Sequence, residues 1–194
     1  MAELILQKIS SYRNIIWDWN GTLINDAKVG ADAEAELFRR HGLQPQTYEE
    51  RLQNFCMPIE KYYRKMGFDF SKVPYEVIAD EWISIYESFI QKVPLFDGAI
   101  DMLASLRSSG KKQYVLSAAP EPHLHGMLEK HSIKHFFEAV YGLPDSKADS
   151  KIARGKELMK DHRIEVSSTV LVGDTVHDYE VASALGVEVL LIAD

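Results

Sequence analysis

Residues 15–25 read IIWDWNGTLIN, and the reading of this stretch decides the rest of the fold. Ile15, Ile16 and Trp17 form a short apolar run that stops at an acid, Asp18. A run this short, bounded by a glycine turn, reads as a fully buried strand, expected over RNIIWD. Two positions past the acid stands an amide, Asn20, followed by Gly21 and Thr22. A carboxylate brought by a buried strand to the mouth of a glycine turn is a candidate reactive group.

Outward from this strand the pattern changes twice. Four helical segments come first. DAKVGADAEAELFRRHG carries Leu37 and Phe38 and stops at Gly42. TYEERLQNF opens with Thr47 and has Glu50 three residues later, a capping box. PIEKYYRKMG runs from Pro58 to Gly67. PYEVIADEWISIYESFIQK begins on Pro74 and places Val77, Ile78, Trp82, Ile85, Tyr86 and Phe89 on one face. From Val93 onward, helices alternate with short strands: GAIDMLASLRSSG, QYVLS ending at Ser117, PEPHLHGMLEKH, FEAVYG, SKIARGKELMKDH with Ser150 as its cap, STVLVGD, HDYEVASALG and VEVLLIAD. Strands alternating with helices of this length mean βαβ units and a parallel sheet. The expected organisation is an α/β core of residues 1–25 and 93–194, interrupted by a four-helix insert over 26–92.

Bulk properties narrow the function. The 194 residues are 46% hydrophobic, enough for a substantial core, and the formal charge is −7 with acids and bases interspersed. That balance argues against nucleic acid or an anionic membrane as partner, so an anionic substrate needs a local positive site. No apolar run approaches the ~20 residues of a membrane helix, and MAELILQKIS lacks a signal-peptide pattern. The single Cys56 fits a reducing cytoplasm and reads as a buried thiol on an apolar helical stretch.

Three strands end in polar residues: Asp18, Ser117 and Asp174. In an open parallel sheet, ligands bind beyond the carboxyl ends of the strands. Carboxylates without a His or Cys partner suit a hard cation, Mg²⁺ above all. Asp178, one helical turn past Asp174, can face the same cleft. Acids, a hydroxyl and Mg²⁺ suggest phosphoryl chemistry. On local grounds alone the alternatives stay open. Asn20-Gly21 is also a common turn pair, Ser117 is equally a helix cap, and Lys147 and Lys156 compete with Lys151 as the cation. His123 and His125 sit two apart on a helix and cannot jointly grip a metal, and His177 reads as tuning its loop.

Together, DWNGTL, VLSA, Lys151 in SKIARGKEL and VGDTVHD resemble the haloacid dehalogenase superfamily, in its phosphoglycolate-phosphatase-like branch with a helical cap. The four motifs stand in that family's order, with a helical insert between the first two, and the resemblance covers nearly the whole chain. It implies an α/β fold with a doubly wound Rossmann-like parallel sheet and a mobile, inserted four-helix cap. It implies a Mg²⁺-dependent phosphatase acting on a small phosphorylated metabolite through an aspartyl-phosphate. Asp18 would be the nucleophile. Asp18, Asp174 and the backbone carbonyl of Asn20 would hold Mg²⁺, with Asp178 in a water-mediated contact. Thr22, Ser117, the Ala118 and Ala119 N–H groups and Lys151 would bind the phosphoryl group. Arg51, Lys61, Arg64 and Lys65 are candidate anion contacts in the cap. A monomer or weak homodimer in the cytoplasm, with no nucleic acid or membrane partner, completes the expectation.

Asn20 departs from the family pattern, in which a second Asp acts as acid and base. General acid–base catalysis contributes typically ~10²–10⁴-fold, so its loss slows the reaction without abolishing it. Two other readings remain. One is a 2-haloacid dehalogenase, against which the Asp174/Asp178 pair argues. The other is a slow or non-catalytic phospho-ligand sensor in which phosphorylated Asp18 persists.

Overall fold

The computed structural model describes residues 2–56, 58–90, 93–144 and 151–192. The chain divides into two compact units, residues 1–25 with 95–194, and 26–94.

The first unit is built on five parallel strands: β1 (Asn14–Trp17), β2 (Lys112–Pro120), β3 (Ala139–Leu143), β4 (Thr169–Gly173) and β5 (Glu188–Leu191). Their order across the sheet is β3-β2-β1-β4-β5. The chain winds outward from β1 to β3, returns to the other side of β1 at β4, and winds outward again to β5. This is a doubly wound α/β sheet, and its switch point lies between β1 and β4. Side chains alternate across it. Ile16, Tyr114, Leu116 and Leu171 pack on one face with Leu158 of α8 (Lys151–Asp161) and Val181 and Ala182 of α9 (Val176–Leu185). On the opposite face the buried amide of Gln113 accepts from Trp17 Nε1 (3.1 Å) and donates to the Leu103 carbonyl (2.9 Å) on α6 (Ala99–Ser108). A polar residue is tolerated in that interior because both ends of its amide are bonded. The remaining core helices are α1 (Ala2–Ile9) and α7 (Glu121–Lys130).

The second unit holds α2 (Ala27–Arg40), α3 (Tyr48–Asn54), α4 (Ile59–Lys65) and α5 (Tyr75–Phe89). Phe38, Tyr63 and Phe68 form an aromatic cluster with ring centroids 5.2–6.0 Å apart. Glu34 of α2 is buried as well, accepting from Tyr62 Oη (2.6 Å) with Arg51 Nε at 3.4 Å. Burial pushes this carboxyl up from its ordinary value, against the pull of Arg51 and Tyr62.

Several local expectations change. The N-terminal segment, read only as too short for a signal, is a helix that buries Ile5 and Ile9. Strand β2 continues three residues past Ser117 through an irregularity. Cys56 is half-buried and lies after α3, not on a helix. Val77 and Phe89 are exposed, so the apolar face of α5 narrows to Ile78, Ile85 and Tyr86, with half-buried Trp82 stacked on Tyr86. Lys147, Ser150 and the last two residues of VEVLLIAD lie outside the described residues, as do the last two of the helix expected to reach Lys92.

Candidate active site

Asp18 follows β1 directly, and its N–H donates to the Val172 carbonyl of β4 (2.9 Å), which fixes it at the switch point. The chain then turns sharply. The Trp19 carbonyl accepts from the N–H groups of Leu23 (3.0 Å) and Ile24 (3.1 Å), and Gly21 has φ +73°. A Cβ on Gly21 would collide with the Asp174 carboxylate. Glycine is therefore needed both for its left-handed backbone and for close approach. Thr22 is buried, and its Oγ1 donates to Asp174 Oδ1 (3.4 Å).

Asp174 leaves β4, and Thr175 then caps α9. Thr175 Oγ accepts from the Asp178 N–H (3.3 Å), while Asp178 Oδ2 accepts from Thr175 N (3.0 Å) and Oγ1 (2.8 Å). The signal for this capping box is T-x-x-D, masked in the sequence because Asp178 reads there as a metal contact. The cap leaves Asp178 Oδ1 to accept from Lys151 Nζ (2.6 Å), and the same ammonium donates to Asp18 Oδ1. Lys151 is buried at the first position of α8, whereas its competitor Lys156 is exposed.

Carboxylate oxygens of Asp18, Asp174 and Asp178 all lie within 4.8 Å of one another. Burial pushes Asp18 up to about 6, against Lys151 and with a further push from Asp178. Burial, Asp18 and Asp178 push Asp174 up to about 7. Burial also works on Asp178, but Lys151 and Thr175 outweigh it and hold that carboxyl below its ordinary value. The same acids hold the Lys151 ammonium above its ordinary value despite burial. One ammonium thus serves three crowded carboxylates. An all-oxygen donor set with surplus negative charge fits a hard divalent cation, and Asp174 is the acid that such an ion would relieve most.

Ser117 is buried on β2, and its Oγ accepts from the Ala119 N–H (3.0 Å), with no acceptor for its proton among the described residues. Trp17 pairs with Val115 in the ladder, so Ser117 stands one position beyond the level of Asp18 on the neighbouring strand. Ala118 is exposed and Asn20 half-buried. Within the second unit, Arg51 lies 3.4 Å from Glu34, Arg64 pairs with Glu60 (2.7 Å) and Lys65 donates to Asn54 (2.9 Å). Lys61 is exposed. His177 sits beside Glu180 (3.1 Å), and no described helix is long and apolar enough to cross a membrane.

A family profile for haloacid dehalogenase-like hydrolases matches residues 15–192. Among individual relatives, a tyrosine-protein kinase (PtkA) of Mycobacterium tuberculosis is 30% identical over 184 residues, covering 92% of this chain. The chain spans 61% of that kinase's length. The kinase's solved structure superposes with a TM-score of 0.78 at 24% identity, over 93% of this chain and 83% of the other. A 5'-nucleotidase of Pseudomonas aeruginosa is 26% identical over 190 residues, 91% of this chain and 80% of its own. A candidate phosphoglycolate phosphatase of Lactobacillus plantarum has the same fold, with a TM-score of 0.81 at 16% identity over 92% of this chain and 85% of that one.

Proposed function

This chain belongs to the haloacid dehalogenase-like hydrolase family, and from that premise we propose that it is a Mg²⁺-dependent phosphatase of a small phosphorylated metabolite. The observation that carries the reading is the buried Lys151 ammonium bridging Asp18 and Asp178, with Asp174 beside them. Asp18 is the nucleophile. Its upward shift to about 6 still leaves it ionised at neutral pH, so it needs no separate base. An Asp18 carboxylate oxygen attacks phosphorus, and the bond from phosphorus to the leaving oxygen breaks. Water then attacks the phosphorus of the acyl phosphate, releasing inorganic phosphate and restoring the carboxylate. Lys151 holds Asp18 in place and offsets charge on the transferred group. Ser117 donates its free proton to a phosphoryl oxygen, and Thr22 orients Asp174.

Asp18, Asp174 and the Asn20 carbonyl would hold Mg²⁺, which when bound supplies neutralisation of charge on the phosphoryl oxygens. Asp178 acts from one step further out, through Lys151 and the α9 cap. Asn20 accepts and donates hydrogen bonds but has no proton to exchange, so the leaving oxygen takes its proton from water. The single Cys56 suits a reducing compartment, and this reading carries the cytoplasm as its location and a monomer or weak homodimer as its state.

Asn20 favours one further reading, in which the phosphoryl group stays on Asp18. The protein would then be a slow sensor, or would pass the group to a hydroxyl, as the name of its kinase relative suggests. Phosphate release from a panel of nucleoside monophosphates and phosphoglycolate, with Mg²⁺ and with excess EDTA, tests the reading. Release that needs Mg²⁺ and disappears in Asp18→Asn and Asp174→Asn is expected. Full turnover in EDTA would refute it, and a stable phosphoprotein with little phosphate release would favour the second reading.

A further inference from the structure

Behind the phosphate side of the sheet lies an ion-pair cluster to which the mechanism above gives no task. In the β2–β3 ladder, Leu116 pairs with Tyr141 and Pro120 pairs with Leu143. Ser117, Ala118 and Ala119 therefore face a single residue, Gly142. Bulges of this kind re-aim side chains beside active sites. Gly142 is wedged against the bulge: a Cβ there would stand 2.7 Å from the Ala119 carbonyl oxygen and 2.6 Å from Glu121 Cα.

Both backbone groups of Gly142 are taken by side chains. Its N–H donates to Glu121 Oε2 (3.2 Å), and its carbonyl accepts from Arg154 Nε (2.8 Å). Arg154 Nη2 closes the triangle by donating to Glu121 Oε2 (2.5 Å). The guanidinium lies over the Tyr141 ring, 4.6 Å from its centroid, and Nη1 pairs with Glu157. Arg154 is 19% exposed and Glu121 33%, so both are substantially withdrawn from water. The triangle uses the planar fork of Arg, which Lys cannot reproduce.

Its three corners lie at the start of α7 just past the bulge, at the end of β3, and in the first turn of α8. Arg154 is three residues from Lys151, one turn along the same helix. The triangle thus ties the bulge carrying Ser117 to the turn carrying Lys151. Burial of Leu116 and Leu158 already packs α8 onto the sheet. Apolar packing, however, is non-directional and does not define the last ångström of position. Directional bonds to both backbone groups of one glycine do.

We propose that Glu121 and Arg154 are positioning residues for phosphoryl transfer. With Gly142 they lock the Ser117–Ala119 bulge to the first turn of α8, and so set where the Lys151 ammonium stands against Asp18. The proposal rests on the roles given above to Asp18 and Lys151. Misplacing a reacting group by ~1 Å can cost on the order of 10²-fold. Arg154→Ala therefore lowers the single-turnover rate on p-nitrophenyl phosphate by roughly 10- to 100-fold.

A double-mutant cycle with Lys151→Met separates positioning from general support of the fold. If Arg154 acts through Lys151, then Arg154→Ala costs less than about twofold further once Lys151 is Met. The same fold-loss in both backgrounds would mean a merely structural role and overturn the proposal. Where Lys151→Met turns over too slowly to measure, inorganic phosphate binding by calorimetry in Mg²⁺ buffer supplies the same cycle. If Arg154→Ala does not fold, Glu121→Gln, which keeps the shape and weakens the charge, carries the test with a loss of roughly 3- to 10-fold. Lys151→Met at the wild-type rate would instead sink the reading of the site itself. A slow Lys151→Met beside wild-type rates for Arg154→Ala and Glu121→Gln would sink the positioning proposal alone.

Discussion

Asn20 occupies the turn between a buried acid and a left-handed glycine, and it is half-buried there. Asn20→Asp is nearly isosteric and supplies the missing proton donor. It also adds a carboxylate near two acids already pushed up to about 6 and about 7. The proton-transfer gain of ~10²–10⁴-fold outweighs that repulsion once a divalent cation is bound. Turnover of alkyl phosphates by Asn20→Asp is expected to rise by at least about 10²-fold. p-Nitrophenyl phosphate, whose leaving group needs no proton, gains far less. Unchanged alkyl turnover, with deamidation of Asn20-Gly21 excluded by peptide mapping, contradicts the assignment. Gly21→Ala strains the backbone by about 1–2 kcal/mol and drives a methyl into Asp174. Its Mg²⁺ affinity by calorimetry is expected to fall, whereas an unchanged affinity would place the ion elsewhere. Asp18, Ser117 and Asp174 were legible in the sequence because polar groups at the ends of apolar strands stand out. The partners of Arg64 and Lys65 were not, since an exposed helical cation carries no signal of which neighbour, here Glu60 and Asn54, it will meet.

Two capping boxes allow a matched comparison between elements. Thr47 caps α3 through Glu50, and Thr175 caps α9 through Asp178. Thr→Ala at either cap costs about 1 kcal/mol, measurable by urea unfolding. Only Thr175 also steadies a partner of Lys151, so Thr175→Ala is expected to lose roughly 10-fold in activity while Thr47→Ala stays near wild type. Equal activities would show that the α9 cap has no bearing on the site. The first box was legible because Glu at its third position is the usual partner. The second was hidden because its acid already had a reading as a metal contact. The alternation of strands and helices gave the parallel sheet, since strands buried on both faces read as short continuous apolar runs, as β1 and β4 do, between longer helical segments. The β2 irregularity escaped because bulge residues such as Ala118 and Ala119 carry no signature, and α1 escaped because eight residues are too few to show periodicity.

At the scale of the whole molecule, the crowded acids couple stability to pH and metal. Asp18 and Asp174 titrate near 6 and 7 in the folded chain, above the ordinary carboxylate value. Between those limits the folded state binds more protons than the unfolded state. Their contribution is therefore complete at low pH and is lost as pH rises from about 4 through about 7. Asp178, held low, acts oppositely, adding stability above the ordinary carboxylate value that is lost on acidification. A divalent cation replaces the protons. The stability gained from Mg²⁺, read as a rise in Tm, is therefore expected to be larger at about pH 8 than at about pH 5.5; at a hundred times Kd it amounts to about 2.7 kcal/mol. A gain that is independent of pH would mean that the ion does not meet these acids. The central claim is that phosphoryl groups pass through Asp18, and the most direct measurement is the intact mass of acid-quenched protein after brief mixing with Mg²⁺ and p-nitrophenyl phosphate. The account predicts one added phosphoryl group, mapped to Asp18, absent with EDTA or in Asp18→Asn, and shorter-lived in Asn20→Asp. Phosphate release by Asp18→Asn at the wild-type rate, with no adduct at any time, would contradict it.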